Sequence, residues 1–213
     1  MNITVFGATG AIGQLIVDQL LRQGDNVTAY ARNAAKVPRH WLGSVNVVIG
    51  DISDAAAIDA AVAGADAVVS ALGPSMDRKA TGLPLVDGTL LIVASMQRHG
   101  VRRYVGNGTP SVLDQQDRDT AQTRLIGWMA RTFLPRAYRE MIGMSRAVTD
   151  SGLDWTIVRF IAPKNGDATG IIRAGFFGRD KIGWSITRAD IAAFTTAQIS
   201  SGQYSRAAPA ISN

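Results

Sequence analysis

A glycine-rich segment close to the start of the chain has the residue types and spacing of a phosphate-binding loop. It reads GATGAIG over 7–13, with a glycine at every third position, and it separates an apolar run from a segment of helical period. In such a strand-to-helix turn, backbone N–H groups approach a diphosphate and the helix N-terminus adds about half a positive charge. The spacing predicts a pyrophosphate site, and a tight turn without a ligand is the alternative. The predicted contacts are Gly7, Ala8, Thr9, Gly10, Ala11, Ile12 and Gly13.

The end of the second predicted strand carries a base where many dinucleotide sites carry an acid. The segment reads YARN over 30–33, which places Arg32 at that point. A carboxylate there would accept hydrogen bonds from the ribose hydroxyls and repel a 2′-phosphate, whereas a guanidinium pairs with the phosphate. We therefore expect NADP(H) to be preferred over NAD(H). Lys36 and Arg39 either assist or meet only solvent.

Two further strand ends supply candidate cofactor contacts. After the third strand, Asp51 is expected to accept from the adenine amino group and Ile52 to lie against the adenine. The alternative for Asp51 is a capping role at the following helix. After the fourth strand, Ala71, Leu72 and Gly73 are small or expose their backbone, which suits contact with the ribose and diphosphate.

Short β-branched runs alternate with longer Ala- and Leu-rich segments, a pattern typical of βαβ units. We predict strands at 2–6, 26–31, 45–49, 67–71, 103–105 and 155–160. We predict helices at 11–23, 53–63, 85–97 and 188–200, with Ser53 or Asp54 as an N-cap, and a kinked or double helix within 114–150 around Pro135. The predicted fold class is α/β, a single Rossmann-type doubly wound parallel sheet flanked by helices. One NAD(P)-binding domain over 1–213, with a small C-terminal elaboration, accounts for the pattern.

Composition excludes several classes of protein. Hydrophobic residues make up 46% and charged residues 18%, which favours a globular core over disorder. Cysteine is absent, so disulfides and thiolate chemistry are excluded, and neither histidine has a metal-ligand spacing, so we expect no metal. The formal charge of +5 comes from scattered bases, which suits an anionic cofactor better than nucleic acid. Without a secretory signal or a spanning segment, we expect a cytoplasmic protein with no nucleic-acid or membrane partner.

Several motifs together resemble a known family. They are GATGAIG at 7–13, YARN at 30–33, GDISD at 50–54, SGLDWTIVR at 151–159 and ITRADIA at 186–192. They resemble the NmrA-like, NAD(P)H-binding atypical short-chain dehydrogenases, particularly small members similar to flavin reductase and biliverdin reductase B. The resemblance implies a doubly wound sheet with two groups of residues beside the nicotinamide. These are Asn107, Gly108 and Thr109 after strand five, and Phe160, Ile161 and Ala162 after strand six. The alternative for the second group is a strand end packed into the core.

The proton-donating pair of typical short-chain dehydrogenases is missing. Those enzymes use Tyr-x-x-x-Lys on one helical face, whereas here Tyr138 is followed four residues later by Ile142, and Met141 aligns with the lysine. Hydride transfer to a flavin or quinone needs less from the protein, because the site mainly orients two stacked rings. Thr109 and Tyr138 are the candidate catalytic residues, each as a hydrogen-bond donor to the substrate. The alternative for Tyr138 is an ordinary amphipathic helix position.

Two functions fit these residues. The first is an NADPH-dependent oxidoreductase that transfers a hydride to a flavin, quinone or similar planar acceptor. The second is a non-catalytic NADP(H)-binding redox sensor or regulator of the NmrA-like type. A nucleotide-sugar isomerase or epimerase ranks third, because it would keep the Tyr/Lys pair and a larger substrate domain. Oligomeric state is left open.

Overall fold

The computed structural model of the protein describes residues 1–75 and 81–213. Eight strands form one sheet in the order β3-β2-β1-β4-β5-β6-β10-β8, and β7 pairs with β9 in a separate two-stranded sheet. The strands are β1 (Asn2–Phe6), β2 (Asn26–Ala31), β3 (Val45–Ile49), β4 (Ala67–Ser70), β5 (Arg103–Gly108), β6 (Asp154–Arg159), β7 (Ala162–Lys164), β8 (Arg173–Gly175), β9 (Ser185–Thr187) and β10 (Ala210–Ser212). The predicted α/β class, with a mostly parallel sheet flanked by helices, is confirmed.

The helices follow the predicted order with small shifts at their ends. They are α1 (Ala11–Arg22), α2 (Ala55–Val62), α3 (Pro84–Arg98), α4 (Ala121–Phe133), α5 (Pro135–Thr149) and α6 (Arg188–Ser200). The helical stretch predicted within 114–150 is double and begins at Ala121. Pro135 lies at the first position of α5, where its missing N–H is not needed. No helix in the described ranges is both long and apolar enough to cross a bilayer.

Helices cover both faces of the sheet. On one face, α1 and α6 pack Ile16 and Ile191 against Val5 of β1 in one core cluster. On the other, α2 and α3 pack Ile58 and Ile92 in a second cluster that contains Phe6 of β1. Because side chains alternate along a strand, neighbouring residues of β1 enter opposite cores. This double coverage explains why the strands are nearly continuous apolar runs.

Strand β5 is longer than predicted and runs on to Gly108. The glycines at 106 and 108 are typical of a loop, but both lie inside the strand. A larger residue would not fit at either position, because neighbouring side chains occupy the space that a Cβ would take. A Cβ at Gly106 would lie 2.7 Å from the Tyr104 ring, and one at Gly108 would lie 2.6 Å from Cγ2 of Ile157. These glycines therefore carry the strand to the sheet edge where the candidate site lies.

The carboxyl-terminal part of the chain adds strands that the sequence analysis did not predict. Strand β10 pairs with β6 in parallel and with β8 in antiparallel orientation, so the sheet has eight strands rather than about six. Each of these two strands has only three residues, too few to show an alternating pattern. The single-domain organisation over 1–213 stays a prediction.

Candidate functional site

The glycine loop lies between β1 and α1, at the carboxyl edge of the sheet. Gly7 has φ +72°, in the left-handed region that favours glycine, and its carbonyl accepts a hydrogen bond from the N–H of Gly10 at 3.0 Å. Gly10 is the N-cap of α1 and provides no side-chain cap, and no acidic residue occupies the first turn. The first N–H groups of α1 are therefore presented without a competing side chain, as a diphosphate site requires.

The loop fits closely against its own helix and against the segment after β4. A Cβ at Gly13 would lie 2.1 Å from the Gly7 carbonyl oxygen, and a Cβ at Gly7 would lie 2.8 Å from the carbonyl carbon of Ala71. The structure thus brings the glycine loop and the Ala71–Leu72 backbone together, while Gly73 is exposed beside them. The junction is the point where the strand order reverses from β1 to β4, the usual dinucleotide crevice of such sheets.

Arg32 and Asp51 lie close together at the ends of β2 and β3. The pKa of Asp51 is lowered mainly by hydrogen bonds to its carboxylate from the Ser53 hydroxyl at 2.7 Å and the Ser53 N–H at 3.0 Å. The charge of the exposed Arg32 lowers it further, to a smaller extent. The segment after β3 is held further by the Tyr30 hydroxyl, which donates to the Asp51 carbonyl at 2.7 Å. Burial, with the nearby carboxylates of Asp54 and Asp51, raises the pKa of Tyr30 to about 12, so this donor keeps its proton.

Residues in the segment after β3 cap helix α2 and pack against helix α3. Asp54, rather than Ser53, is the N-cap of α2 and accepts from the Ala57 N–H at 3.0 Å. Asp51 therefore does not cap this helix, and its contact with adenine stays a prediction. Ile52 is 6% exposed and packs on Gly88 of α3, so little of its side chain is left for a ligand. Its place in the core departs from the expected contact with adenine.

The residues expected beside the nicotinamide lie at the adjoining carboxyl ends of β5 and β6. The Phe160 N–H donates to the Gly108 carbonyl at 3.3 Å, and the Asn107 amide oxygen accepts from the Thr195 hydroxyl of α6 at 3.3 Å. Phe160 is partly buried against the core, as the packing alternative anticipated, while Ile161 is half-buried and Ala162 is exposed in β7. Gly108 is buried, so of the β5 group only Asn107 and Thr109 have partly accessible side chains.

Tyr138 is half-buried in α5. In the described part of the chain, no hydrogen bond joins Tyr138 to Thr109. The start of α5 does reach the segment after β4, because the Arg136 guanidinium hydrogen-bonds the Ser75 carbonyl. Met141, at the position where the lysine of a Tyr/Lys pair would stand, is 5% exposed and belongs to the core. The helix therefore offers a tyrosine without a cation one turn away.

A cavity of about 170 Å³ opens immediately beyond Thr109. Pro110, Leu113 and Phe177 form its apolar part, and α4 contributes Thr123 from its first turn. Its charged lining residues are Asp114, Asp117, Arg118 and Asp119. This cavity adjoins the predicted nicotinamide end, so it is the candidate acceptor pocket.

One wall of the acceptor pocket is fixed by Arg159, a fully buried arginine at the end of β6. Its guanidinium donates to both carboxylate oxygens of Asp117, at 2.6 and 2.9 Å, and lies 4.8 Å from the centre of the Phe177 ring. Asp117 also accepts from the Phe177 N–H at 2.9 Å. Sequence analysis did not single out these residues. The available signal was one arginine in the apolar run TIVRF at 156–160, but nothing local indicated its partner.

A larger cavity, of about 520 Å³, lies at the opposite, amino-terminal edge of β1 to β3. Its amide side chains hydrogen-bond neighbours, as Asn26 does to Asn2 at 3.0 Å and Asn46 to Thr28 at 3.2 Å. Ligands of open α/β sheets bind at the carboxyl edge, so size alone does not make this cavity the functional site. Within the described residues, no cluster of three or more His, Cys, Asp or Glu could hold a metal ion.

The NAD(P)H-binding family matches residues 7–201, from the glycine loop through α6. The protein belongs to this family. The predicted resemblance to NAD(P)H-binding proteins is thereby confirmed.

Individual relatives span most of the chain. UPF0659 protein YMR090W of Saccharomyces cerevisiae is 28% identical over 209 residues, which cover 91% of this chain and 85% of the yeast protein. ChuY, an anaerobilin reductase from Escherichia coli O157:H7, superposes with a TM-score of 0.80 at 19% identity, covering 99% of this chain and 96% of ChuY. A short-chain dehydrogenase/reductase from Veillonella parvula, solved with NADP, superposes with a TM-score of 0.79 at 18% identity, covering 100% of this chain and 94% of its own. At these identities the two superpositions show the fold alone.

Proposed function

We propose that the protein is an NADPH-dependent reductase that transfers a hydride to a flavin, a quinone or a similar planar acceptor. The observation that carries the proposal is the continuous edge from the glycine loop, past Thr109, to the apolar pocket at Pro110 and Phe177. A dinucleotide laid along this edge would end with its reactive ring beside the pocket. Membership of the NAD(P)H-binding family supports the same assignment.

In the proposed complex, the loop over 7–13 and the Ala71–Leu72 backbone hold the pyrophosphate. The N–H groups of α1 point at it, and the absence of a Cβ at Gly7 and Gly13 leaves the backbone free to approach. Arg32 pairs with the 2′-phosphate, and Asp51 accepts from the adenine amino group. The Veillonella structure with NADP supports the choice of NADP(H) over NAD(H), and its 18% identity makes this a proposal for the present chain.

The residues at the nicotinamide end position the acceptor rather than supply a strong acid. Bound NADPH would supply the hydride. The Thr109 hydroxyl donates a hydrogen bond to an acceptor carbonyl, and Asn107, held by Thr195, borders the ring. Pro110, Leu113 and Phe177 exclude water from one side of the acceptor, which favours two stacked rings. Flavins and quinones, whose reduced forms gain protons readily from water, suit a site without a Tyr/Lys pair.

The test is NADPH oxidation by the purified protein, followed at the nicotinamide absorbance band. FMN, riboflavin and a small quinone serve as separate acceptors, heat-unfolded protein serves as the control, and an NADPH titration runs in parallel. Turnover well above the control with at least one acceptor supports the reductase and ranks the acceptors. Tight NADPH binding without turnover on any of them contradicts it.

A redox sensor is the second candidate, and the buried Met141 is the observation that favours it. Where a lysine would lower the pKa of the tyrosine, the chain places an apolar side chain in the core, so proton donation by Tyr138 lacks its usual support. A protein that binds NADP(H) and signals through a partner needs no such donor. NADPH binding without turnover is the outcome that this candidate predicts.

A further inference from the structure

Helix α4 and the residue that follows it present a group of apolar side chains to solvent. These residues, together called the α4 surface, are each between 45% and 66% exposed. They are Leu125, Trp128, Met129, Phe133 and Leu134. Monomeric soluble proteins rarely expose contiguous apolar patches of this kind unless the patch binds something.

The α4 surface follows helical spacing. Leu125, Trp128, Met129 and Phe133 recur at intervals of three and four residues, so they lie on one face of α4. The rings of Trp128 and Phe133 meet edge to face with centroids 6.1 Å apart. An apolar face that includes an exposed tryptophan and phenylalanine is typical of helices that lie in the plane of a membrane interface.

Within residues 120–139, which carry the α4 surface, every charged side chain is basic, and acids flank this range on both sides. Residues 120–139 contain four arginines and no aspartate or glutamate. Two of the four are paired with acids outside this range, Arg124 with Asp119 and Arg136 with Glu140, which leaves Arg131 and Arg139 as exposed positive charges. Arg131 lies seven residues after Arg124 and therefore on the same border of the apolar face, and it is the charge on this border that Asp119 does not offset. Such a border complements an anionic surface.

We infer that the α4 surface docks the protein onto an anionic lipid membrane, with the helix axis in the plane of the interface. The apolar side chains would enter the headgroup region while the arginines remain at the lipid phosphates. A second copy of the chain fits less well, because a twofold interface brings the same patch of both copies together, and residues 120–139 contain no acid to pair with these arginines. Docking requires no spanning helix, and it departs from the expectation of no membrane partner.

The α4 surface is continuous with the acceptor pocket. Thr123, in the first turn of α4, lines the pocket, and Leu113, which also lines it, is 79% exposed. Docking would therefore turn the pocket towards lipid, where apolar acceptors concentrate. The docking inference does not rest on the proposed reductase activity, so it is tested without turnover.

The experiment measures binding of the full chain to lipid vesicles by sedimentation. One set of vesicles contains only phosphatidylcholine, and the other adds phosphatidylglycerol. We expect partitioning onto the anionic vesicles at least about tenfold stronger than onto the neutral ones, weakened by added salt. Equal binding to both sets, or binding to neither, overturns the inference.

Substitutions test whether the α4 surface is the part of the chain that binds the vesicles. Trp128→Ser combined with Phe133→Ser is expected to reduce partitioning at least about tenfold, and Arg131→Gln and Arg139→Gln about fivefold each. The matched control is Leu42→Ser combined with Trp184→Ser, which removes exposed apolar side chains elsewhere and leaves partitioning unchanged. Circular dichroism establishes that each variant is folded. If the Trp128/Phe133 variant binds vesicles as strongly as the parent protein, the α4 surface does not bind lipid. If the parent protein is a dimer that binds no vesicles and the variant is a monomer, the occupant of the surface is a second copy of the chain.

Discussion

Arg32 is the residue on which the proposed cofactor choice depends. Its side chain is exposed at the end of β2, beside Asp51, and the neighbouring Asn33 is occupied as the cap of the short 3₁₀ turn at Ala34–Lys36. Because the Asn33 side chain makes this cap, the turn does not require the Arg32 guanidinium, which can pair with a phosphate. An arginine forms charge-assisted bonds with phosphate that are roughly twice as strong as neutral ones.

Replacing Arg32 by alanine tests this assignment directly. We expect Arg32→Ala to weaken NADPH binding about tenfold or more, because a charge-assisted contact is lost, while NADH binding changes little. Titration calorimetry with both cofactors measures the two affinities. Arg22→Ala, at an exposed arginine in the last turn of α1, is the matched control and should leave both unchanged. Equal losses for both cofactors in Arg32→Ala would contradict the 2′-phosphate assignment.

Helix α1 and its loop depend on the absence of side chains at two glycines. Gly13 lies within the first turn of α1, and a methyl group there would overlap the Gly7 carbonyl oxygen at 2.1 Å. The obstacle is backbone rather than a flexible side chain, so relief requires the loop or the helix to move. Either movement would change the positions of the N–H groups proposed to bind the pyrophosphate.

Gly13→Ala is therefore expected to lower the free energy of unfolding by about 1–3 kcal/mol and to weaken NADPH binding at least about tenfold. The control is Gly127→Ala in α4, where an added Cβ meets no atom within 4 Å. That substitution should leave NADPH binding unchanged and stabilise the protein by up to about 1 kcal/mol, because alanine favours helix. Urea unfolding and NADPH titration measure both effects. Unchanged NADPH affinity in Gly13→Ala would count against the loop as the pyrophosphate site.

The segment between β5 and α4 is held by the Arg159–Asp117 pair. Arg159→Lys keeps the positive charge but loses the two parallel hydrogen bonds to the carboxylate. We expect the KM for the acceptor to rise about tenfold, because the pocket wall shifts, while the NADPH dissociation constant changes less than about twofold. Steady-state kinetics and NADPH titration separate the two quantities.

Arg103→Lys provides the matched control for Arg159→Lys. Arg103 is also a buried arginine of the sheet, but it binds the Gln198 carbonyl and Asp154 at the far end of β5. Its replacement should lower stability without changing the KM for the acceptor. If both variants raise that KM equally, the effect comes from general loosening of the sheet rather than from the pocket wall.

At the scale of the whole molecule, Asp190 joins three distant parts of the chain. This buried carboxylate at the start of α6 accepts from the Thr187 hydroxyl at 2.7 Å, the Thr169 hydroxyl at 2.9 Å and the Asn213 amide at 2.8 Å. Burial alone would raise the pKa of Asp190, but the donors from Thr169, Thr187 and Asn213 lower it to about 2. The ionised carboxylate thus ties the last residue of the chain to α6 and to the 169–171 segment.

This arrangement predicts a pH dependence of stability. Because the pKa of Asp190 in the folded state, about 2, lies below the ordinary value of 3.8, its contribution is complete above about pH 4 and is lost as the pH falls towards 2. Asp190→Asn should lower the free energy of unfolding by about 2 kcal/mol at pH 7, with a smaller difference at pH 3. Urea unfolding of both forms across this range measures it. A difference that does not change with pH would contradict the role of the ionised carboxylate.

Local sequence patterns predicted the first part of the sheet closely. The strands β1, β2 and β3 and the helix α6 begin and end at the predicted residues. The glycine loop stands at the predicted junction, and the family assignment followed from it and the other motifs. The roles of the individual cofactor contacts, of Thr109 and of Tyr138 stay predictions.

The sequence by itself determined the α/β class, the family and the position of the glycine loop, because each is carried by short motifs whose own residues lie within a few positions of one another. Only the tertiary structure shows the bidentate pairing of Arg159 with Asp117 and the hydrogen bond from the Asn213 amide to Asp190. The burial of Ile52 and the pairing of β10 with β6 were likewise visible only in the structure. The pairings join residues 42 and 23 positions apart in the chain. No local periodicity encodes such contacts, since they form only when the folded backbone brings distant segments together and burial makes an unpaired charge too costly.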